Sequence, residues 1–566
     1  MSFATLKAAR ENKRSYVAAC TLQNSRESEA VHEQPAATYQ SIPDDLAIRT
    51  SSASGRGLWM TRKCAPGQVL FVVKPHAAAL SNDRLGSYCS QCFAPDALKR
   101  CTRCQAIHYC DSTCQNIDWA VHKHECAALQ RIAASGDSAI PSDAIRCLGR
   151  IMWKSQKKGP WTQEIDSLQS HIKDIKPSAY ELHTHLAISL VRYLGLSSPS
   201  EIASFGLASG ADLADLVSRF VTNTFTVTDA SLTPLGSSVS PPVALINHSC
   251  DPNAVVVFPR ASARPSAAQE PLMHVIALRE IAADEEILTA YVDTTLPRAI
   301  RHAALQETYC FTCACSLCAS NVGVDPRESV WCPKGCGGMC PMPTEENSLS
   351  RCAKCKAALQ KTDEVLDAVR IGQQALDKAT AHQFSDPAKA RQLTTNLIPI
   401  LVSAGLTPAA HPLLALTRLH QALLVAELAG APALLDETVV AATKAVAGLD
   451  AVLRVGHPVR GIARAELGKL LAVDEPARAR TPGSAAEEAL RYPPSGAARL
   501  RLALETLVRA HAELTVGFGT TNEGGLAGQG VREDVVRLER ELGVWTKGVG
   551  EALKDAREAA AGSRQK

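Results

Sequence analysis

A chain of 566 residues is too long for one hydrophobic core and implies two to four domains. Its 60 basic and 57 acidic residues leave a formal net charge of +3, which excludes a broad electrostatic face for nucleic acid or anionic membrane. No apolar run approaches the roughly 18 residues that span a bilayer, and the first 20 residues lack the apolar stretch of a secretory signal, so a soluble, non-secreted protein is expected. Residues 1–45 are polar, with few aromatics and no period, and read as a disordered extension. SGRGLWM, from Ser54 to Met60, opens a strand-like region that continues through GQVLFVVKP. From Ser87 to Cys126 a Cys/His block carries almost no core residues of its own. Residues 127–220 alternate helical periods with loops, and YELHTHLAISLVRYLGL predicts a helix ending near Gly195. Short apolar strands are predicted from Val221 to Val292, interrupted by the surface loop PRASARPSAAQEP. Beyond Thr362 the chain turns to Ala/Leu-rich helices. HPLLALTRLHQALLVAELAG places Pro412 in a first turn and stops at Gly430, with Leu413, Leu416, Leu423 and Leu424 on one face. Leu500, Leu504, Leu507, His511 and Leu514 repeat that spacing. Helices in series suggest antiparallel hairpins like those of a tetratricopeptide array, without a definite repeat register.

Cysteine is the strongest compositional signal, because sixteen of the 20 fall between Cys89 and Cys126 or between Cys310 and Cys355. C-x-x-C pairs without a secretory signal read as metal thiolates in a reducing compartment. CSQC, CTRC, YCDSTC and HKHEC supply eight ligands, enough for two closed tetrahedral zinc sites. The expected sets interleave: Cys89, Cys92, Cys110 and Cys114 for one ion, Cys101, Cys104, His122 and Cys126 for the other. A segment with so little core needs metal to fold. WCPKGC and RCAKC add Cys332, Cys336, Cys352 and Cys355, two pairs joined by a flexible loop and predicted to form a zinc ribbon, with Cys340 as an alternative to Cys336. A different question is raised by NHSCDPN, Asn247 to Asn253, which breaks an apolar run. Asp251, Pro252 and Asn253 have the chemistry of a turn. Asn247, His248 and Cys250 do not, and polar side chains in a buried run are costly unless something binds them.

YCDSTCQNIDWAVHKHEC resembles the MYND zinc finger, including Gln115, Trp119 and the His122-Lys123 pair. GRGLW, NHSCDPN, EEILTAYVD (Glu285 to Asp293) and YCFTCACSLC (Tyr309 to Cys318) follow the order of a SET domain, with the MYND block inserted after the first. Over roughly residues 46–520 the chain therefore resembles the SET and MYND domain (SMYD) protein lysine methyltransferases. The resemblance implies an α+β multidomain chain: a SET N-terminal part at 46–86, a MYND finger at 87–126, a helical SET insert at 127–220 and a SET core at 221–296. A four-cysteine post-SET zinc region at 297–320, the expected ribbon at 321–361 and a helical, TPR-like domain at 362–566 follow. It implies S-adenosylmethionine as cofactor, held by Ser54, Gly55, Arg56, Gly57, His171, Asn247, His248, Tyr291 and Phe311, with Tyr291 also the catalytic phenol. By the same resemblance Thr224, Phe225 and Tyr309 line the substrate channel, and Cys250 joins Cys313, Cys315 and Cys318 around a third zinc ion. Two positions depart from the family pattern: Asp284 stands for a glycine, and Thr224 for a serine.

The implied activity is methyl transfer to lysine on histones or other proteins, in cytoplasm and nucleus, by a monomer. MYND modules of the family imply proline-containing peptides as further partners; membrane and direct nucleic-acid binding are not expected. The alternative is a catalytically silent scaffold that recruits partners as a transcriptional co-regulator. Intact Asn247, His248 and Tyr291 favour the enzyme.

Overall fold

A computed structural model describes residues 42–52, 54–95, 98–136, 139–156, 160–260, 269–319, 323–345, 349–475 and 492–562. The extension expected at 1–45 lies outside these as far as residue 41, as does 261–268 of the predicted surface loop. The chain divides into two compact units, one comprising the chain up to Ala65, Val69–Asp293 and Ala299–Cys318, the other Pro66–Gln68, Thr294–Arg298 and the chain from Ala319 on.

The first unit is built from small sheets. Strand β1 (Leu46–Ser51) pairs antiparallel with β2 (Gly55–Met60), and the Ser51 and Ser54 hydroxyls, 2.7 Å apart, close the turn between them. β3 (Val69–Val73) joins β10 (Ala254–Val257) through β11 (Met273–Ala277), and β4 (Ala77–Leu80) joins β7 (Thr224–Thr228) through β8 (Pro234–Val239). β5 (Lys99–Arg100) and β6 (His108–Tyr109) form the hairpin of the cysteine block. β9 (Asn247–His248) and β12 (Leu288–Thr289) are two residues each and run parallel. Inward strand side chains such as Leu58, Leu80 and Val227, placed by alternation in half-buried strands, meet Leu148 and Ile246 in one core.

Helix Ser112–Ala134 starts on an Asp111 cap that accepts from the Cys114 amide at 2.8 Å, and it runs on beyond Cys126. The boundary expected at 126/127 thus lies inside a continuous helix, whose buried face carries Cys114, Asp118, His122, Glu125 and Cys126. Helix Asp143–Ser155 brings the buried Arg150 against it, with Nη1 2.8 Å from Asp118 and Nη2 on Glu125. The helix predicted to end near Gly195 spans Pro177–Leu194, and helix Gly210–Thr222 carries Val221 into its last turn, so strand structure begins only at Thr224.

In the second unit a hairpin of β13 (Ser329–Trp331) and β14 (Met339–Pro341) precedes helices Thr362–His382, Pro387–Ser403, Leu413–Glu427, Leu435–Val452, Pro458–Leu471, Gly496–Gly517 and Gly525–Gly562. Leu413, Leu416, Leu423 and Leu424 are buried, as are Leu507 and Leu514, because the predicted apolar stripes pack on neighbouring helices. Val330 and Cys340 share a core with Val365, Leu401 and Leu406, which joins the hairpin to the helices. Among the described residues no helix is long and apolar enough to cross a membrane.

Candidate functional site

Residues 285–289 are shared by two partners. On one side the Met60 amide donates to the Glu285 carbonyl at 3.0 Å and the Ile287 amide to the Leu58 carbonyl at 2.8 Å. On the other, Leu288 and Thr289 pair with Asn247 and His248. The glycine-containing strand and NHSCDPN are thereby drawn to the same place. Asn247 spans them: its Nδ2 donates to the Arg56 carbonyl at 3.0 Å and to Glu286 Oε1 at 2.8 Å. Glycine at position 57 leaves this arrangement undisturbed, since a Cβ there would strike the Glu286 carboxylate and lie 2.9 Å from Asn247 Nδ2. Both bonds use the Asn247 amide nitrogen, and its Oδ1 accepts no hydrogen bond among the described residues.

The remaining polar residues of NHSCDPN each have a structural partner. His248 Nδ1 accepts from the Tyr291 amide at 3.0 Å, which leaves Nε2 as the protonated nitrogen, 3.3 Å from Cys250 Sγ. Burial pulls its pKa down to about 4, so the ring is neutral. Asn253 is not simply a turn residue. It is 1 % exposed, with Nδ2 donating to the Glu286 carbonyl at 2.8 Å and to Glu285 Oε1 at 3.2 Å, while Oδ1 accepts from Leu288 at 2.7 Å. Two amides therefore staple residues 285–288 in place, a part that sequence reasoning missed: it reads Asn253 as a turn residue and assigns nothing to Glu286. Their one signal is the recurrence of Asn at both ends of the polar heptad opposite a Glu-Glu pair.

Three rings gather beside this staple. Tyr291 lies 5.3 Å from His248 and 4.8 Å from Tyr309, centroid to centroid, and Phe311 lies 5.9 Å from His248. The Tyr291 hydroxyl donates to the Ile246 carbonyl at 2.7 Å. Burial pushes the Tyr309 phenol up to about 12, and burial with Tyr309 alongside raises Tyr291 further. Both stay protonated at neutral pH, so neither is a general base.

Phe225 and Thr224 do not join those rings. Phe225 packs against the main core of the unit, and the Thr224 hydroxyl donates back to the Phe220 carbonyl. His171 was expected in a helical insert; it sits in a turn, with its carbonyl accepting from Asp174 and Ile175, and burial lowers its pKa. Arg56 reaches toward that turn and donates to the Ser167 carbonyl. Ser54 serves the β1–β2 turn, and Gly55, at φ +71°, takes a left-handed conformation that suits glycine. Asp284 holds the glycine-like turn at φ +60° and pairs with Arg49 at 2.5 Å.

Four groups of side chains have the donor set of zinc: Cys89, Cys92, Cys110 and Cys114; Cys101, Cys104, His122 and Cys126; Cys250, Cys313, Cys315 and Cys318; Cys332, Cys336, Cys352 and Cys355. Within each, all ligand atoms lie within 4.8 Å of one another. Zinc–sulfur bonds of about 2.3 Å set tetrahedral edges of roughly 3.8 Å. The observed separations match: Cys92–Cys110 3.8 Å, Cys101–Cys126 3.9 Å, Cys250–Cys318 3.5 Å, Cys332–Cys355 3.4 Å. A recurring knuckle supports the assignment. After Cys92, Cys104 and Cys355 the next residue (Phe93, Gln105, Lys356) has φ between 56 and 59° and donates its amide to the first cysteine of the pair at 2.8, 2.9 and 3.0 Å. The fourth group contains Cys336 and not Cys340, which is buried in the adjoining core.

Residues 89–126 match the MYND finger family. The chain is 33% identical over 282 residues to the N-lysine methyltransferase SMYD2 of Gallus gallus, covering 49% of this chain and 60% of that protein. It is 31% identical over 287 residues to the histone-lysine N-methyltransferase ASHR1 of Arabidopsis thaliana, covering 49% and 55%. The match thus spans less than two thirds of these curated relatives' length. A solved structure titled "Crystal structure of the SET domain of LSMT bound to Lysine and AdoHcy" aligns with 77% of this chain and 90% of its own at TM-score 0.28 and 12% identity.

Proposed function

We propose that the chain, which matches the MYND finger at residues 89–126 and is similar to SMYD2 over 282 residues, is an S-adenosylmethionine-dependent protein-lysine N-methyltransferase of the SET and MYND domain (SMYD) type. The observation that carries this reading is the convergence of Gly57, Asn247 and Tyr291 on one short segment, with an unused amide oxygen on Asn247. When bound, S-adenosylmethionine supplies an electrophilic methyl group. Gly55–Gly57, Asn247 and Phe311 would hold it: the glycines allow close approach of backbone, Asn247 Oδ1 offers an acceptor to an ammonium, and Phe311 offers a flat apolar face. The chain's own task is alignment of the incoming amine, which dominates an in-line displacement. Tyr291 suits it, because donation to Ile246 fixes the phenol and leaves its oxygen lone pairs for the amine. A free lysine has a pKa of about 10.4 and must lose its proton; an apolar wall of Tyr291 and Tyr309 disfavours the charged form by desolvation. Those ring faces also hold a methylated ammonium. With no general base among them, the proton leaves to water.

Zinc is assigned to all four clusters: two ions in the MYND finger, one in a post-SET clip built on Cys250, and one in a ribbon at the start of a TPR-like helical unit. Cysteine-rich clips of this kind stay reduced in cytoplasm and nucleus. The test is transfer of labelled methyl to a peptide or proteome array, with the modified lysine mapped. No transfer from protein shown to bind the cofactor would leave the silent scaffold as the better reading.

A further inference from the structure

Helix Arg298–Tyr309 carries Arg301, Leu305 and Tyr309 at every fourth position, and so along one face. Leu305 packs with Cys250, Cys313 and Cys318, and Tyr291, Tyr309 and Phe311 lie against that core. One helix face thereby joins the third cysteine cluster to the rings of the methyl-transfer site. Arg301 brings a cation into it: the residue is 0 % exposed, and its Nη2 donates to Cys318 Sγ at 3.7 Å.

Three of the four sulfurs face an N–H group. Cys250 Sγ lies 3.3 Å from His248 Nε2, Cys313 accepts from the Cys315 amide at 3.4 Å, and Cys318 accepts from Arg301. Of these donors only the guanidinium carries a charge that it cannot lose. That charge matters once a metal is present, because zinc binds cysteine as thiolate and one zinc ion with four thiolates is a dianion. Cys250, Cys313 and Cys318 are buried with Arg301, and charge held out of water is costly unless it is paired. A bond from a cation to a thiolate is also stronger than one between neutral groups. Four neutral thiols would gain far less from a buried guanidinium, so the benefit of Arg301 falls on the metal-bound state.

We infer that Arg301 is a positioning residue of the third metal site: its charge retains the zinc ion of the Cys250 cluster and, with it, the loop that presents Asn247. The inference rests on the assignment of zinc to that cluster. Zinc release from the full chain tests it. Zinc-loaded parent and variants are held with an excess of a zinc-binding dye; the remaining ions are counted over time by native mass spectrometry, and the cysteines freed with each ion are mapped by alkylation. Arg301→Gln keeps N–H groups without the charge, and its Cys250-cluster ion should leave about 10-fold faster or more, the low end for a bond to a charged group, while the MYND ions stay. Arg301→Lys keeps the charge and should release the ion within about 3-fold of the parent's rate. Tm is recorded for each, and Val275→Ala, in the core of the same unit, shows what lowered stability alone does to release. Parent-like release by Arg301→Gln, equal release by the Gln and Lys variants, equally fast release by Val275→Ala, or loss of the MYND ions together with the third, which marks general unfolding, overturns the inference. Cys318→Ser separates the inference from its premise. Equal ion counts in the parent and Cys318→Ser refute the metal site, whereas one ion fewer in Cys318→Ser with unchanged release by Arg301→Gln refutes Arg301 alone.

Discussion

Gly57→Ala tests the core of the proposed cofactor site, because its effect can be traced atom by atom. The backbone at Gly57 is not in the left-handed region, so the substitution adds no torsional strain. The new methyl instead meets the Glu286 carboxylate, whose carbon would lie at 3.3 Å, and the Asn247 amide nitrogen at 2.9 Å. Both are ends of flexible side chains, and each can move. They are also bonded to each other at 2.8 Å, so making room breaks a charge-assisted hydrogen bond worth about 1.5–3 kcal/mol. If the cofactor needs Asn247 where it stands, binding must restore that arrangement, and affinity falls by about 10- to 100-fold at 1.4 kcal/mol per factor of ten. Isothermal titration with S-adenosylhomocysteine measures the loss. Gly136→Ala, outside the proposed site, is the control: no atom lies within 4 Å of its Cβ, and φ of +81° gives a strain of about 1–2 kcal/mol in stability without touching Asn247. Unchanged binding by Gly57→Ala, with Tm lowered, would falsify the assignment of Asn247 to the cofactor.

Tyr291→Phe should keep cofactor binding while methylation slows by about 10²-fold, since only a polar contact made in the transition state is lost; a rate like the parent's removes Tyr291 from the site. Native mass spectrometry should find four zinc ions in the parent and three in Cys352→Ser/Cys355→Ser, with cofactor affinity retained; three ions in both proteins exclude the ribbon. Arg150→Met leaves Asp118 and Glu125 buried without their shared cation and should cost about 3–5 kcal/mol in denaturant unfolding, whereas an unchanged midpoint would show that Arg146 alone neutralises the pair.

The Cys/His clusters were readable because ligand type and close spacing, which fix a closed zinc site, are both properties of the linear chain. Even the interleaving of the two MYND sets and the partnership of Cys250 with Cys313–Cys318 agree with the observed clusters. Helices with a clear stripe were readable for the same local reason: Leu413, Leu416, Leu423 and Leu424 declare their face within a few turns. What escaped depends on contacts between segments far apart in sequence. Nothing local separates Asn253 as a turn former from Asn253 as a buried staple, because the carbonyl, carboxylate and amide that it binds come from residues 285–288. Glu286 is equally silent, as its meaning rests on Gly57 and Asn247 at once. The imidazole of His248 shows the converse case. Its place in the polar heptad suggested a ligand contact, yet both ring nitrogens face protein atoms, one the Tyr291 amide and the other Cys250. Within NHSCDPN, then, the amide oxygen of Asn247 is the group left for a ligand, while His248, Cys250 and Asn253 hold the loop that presents it. A His248→Ala change should accordingly act through loosening of Tyr291 and the Cys250 cluster, seen as a lower Tm and easier zinc loss before any direct loss of cofactor contacts.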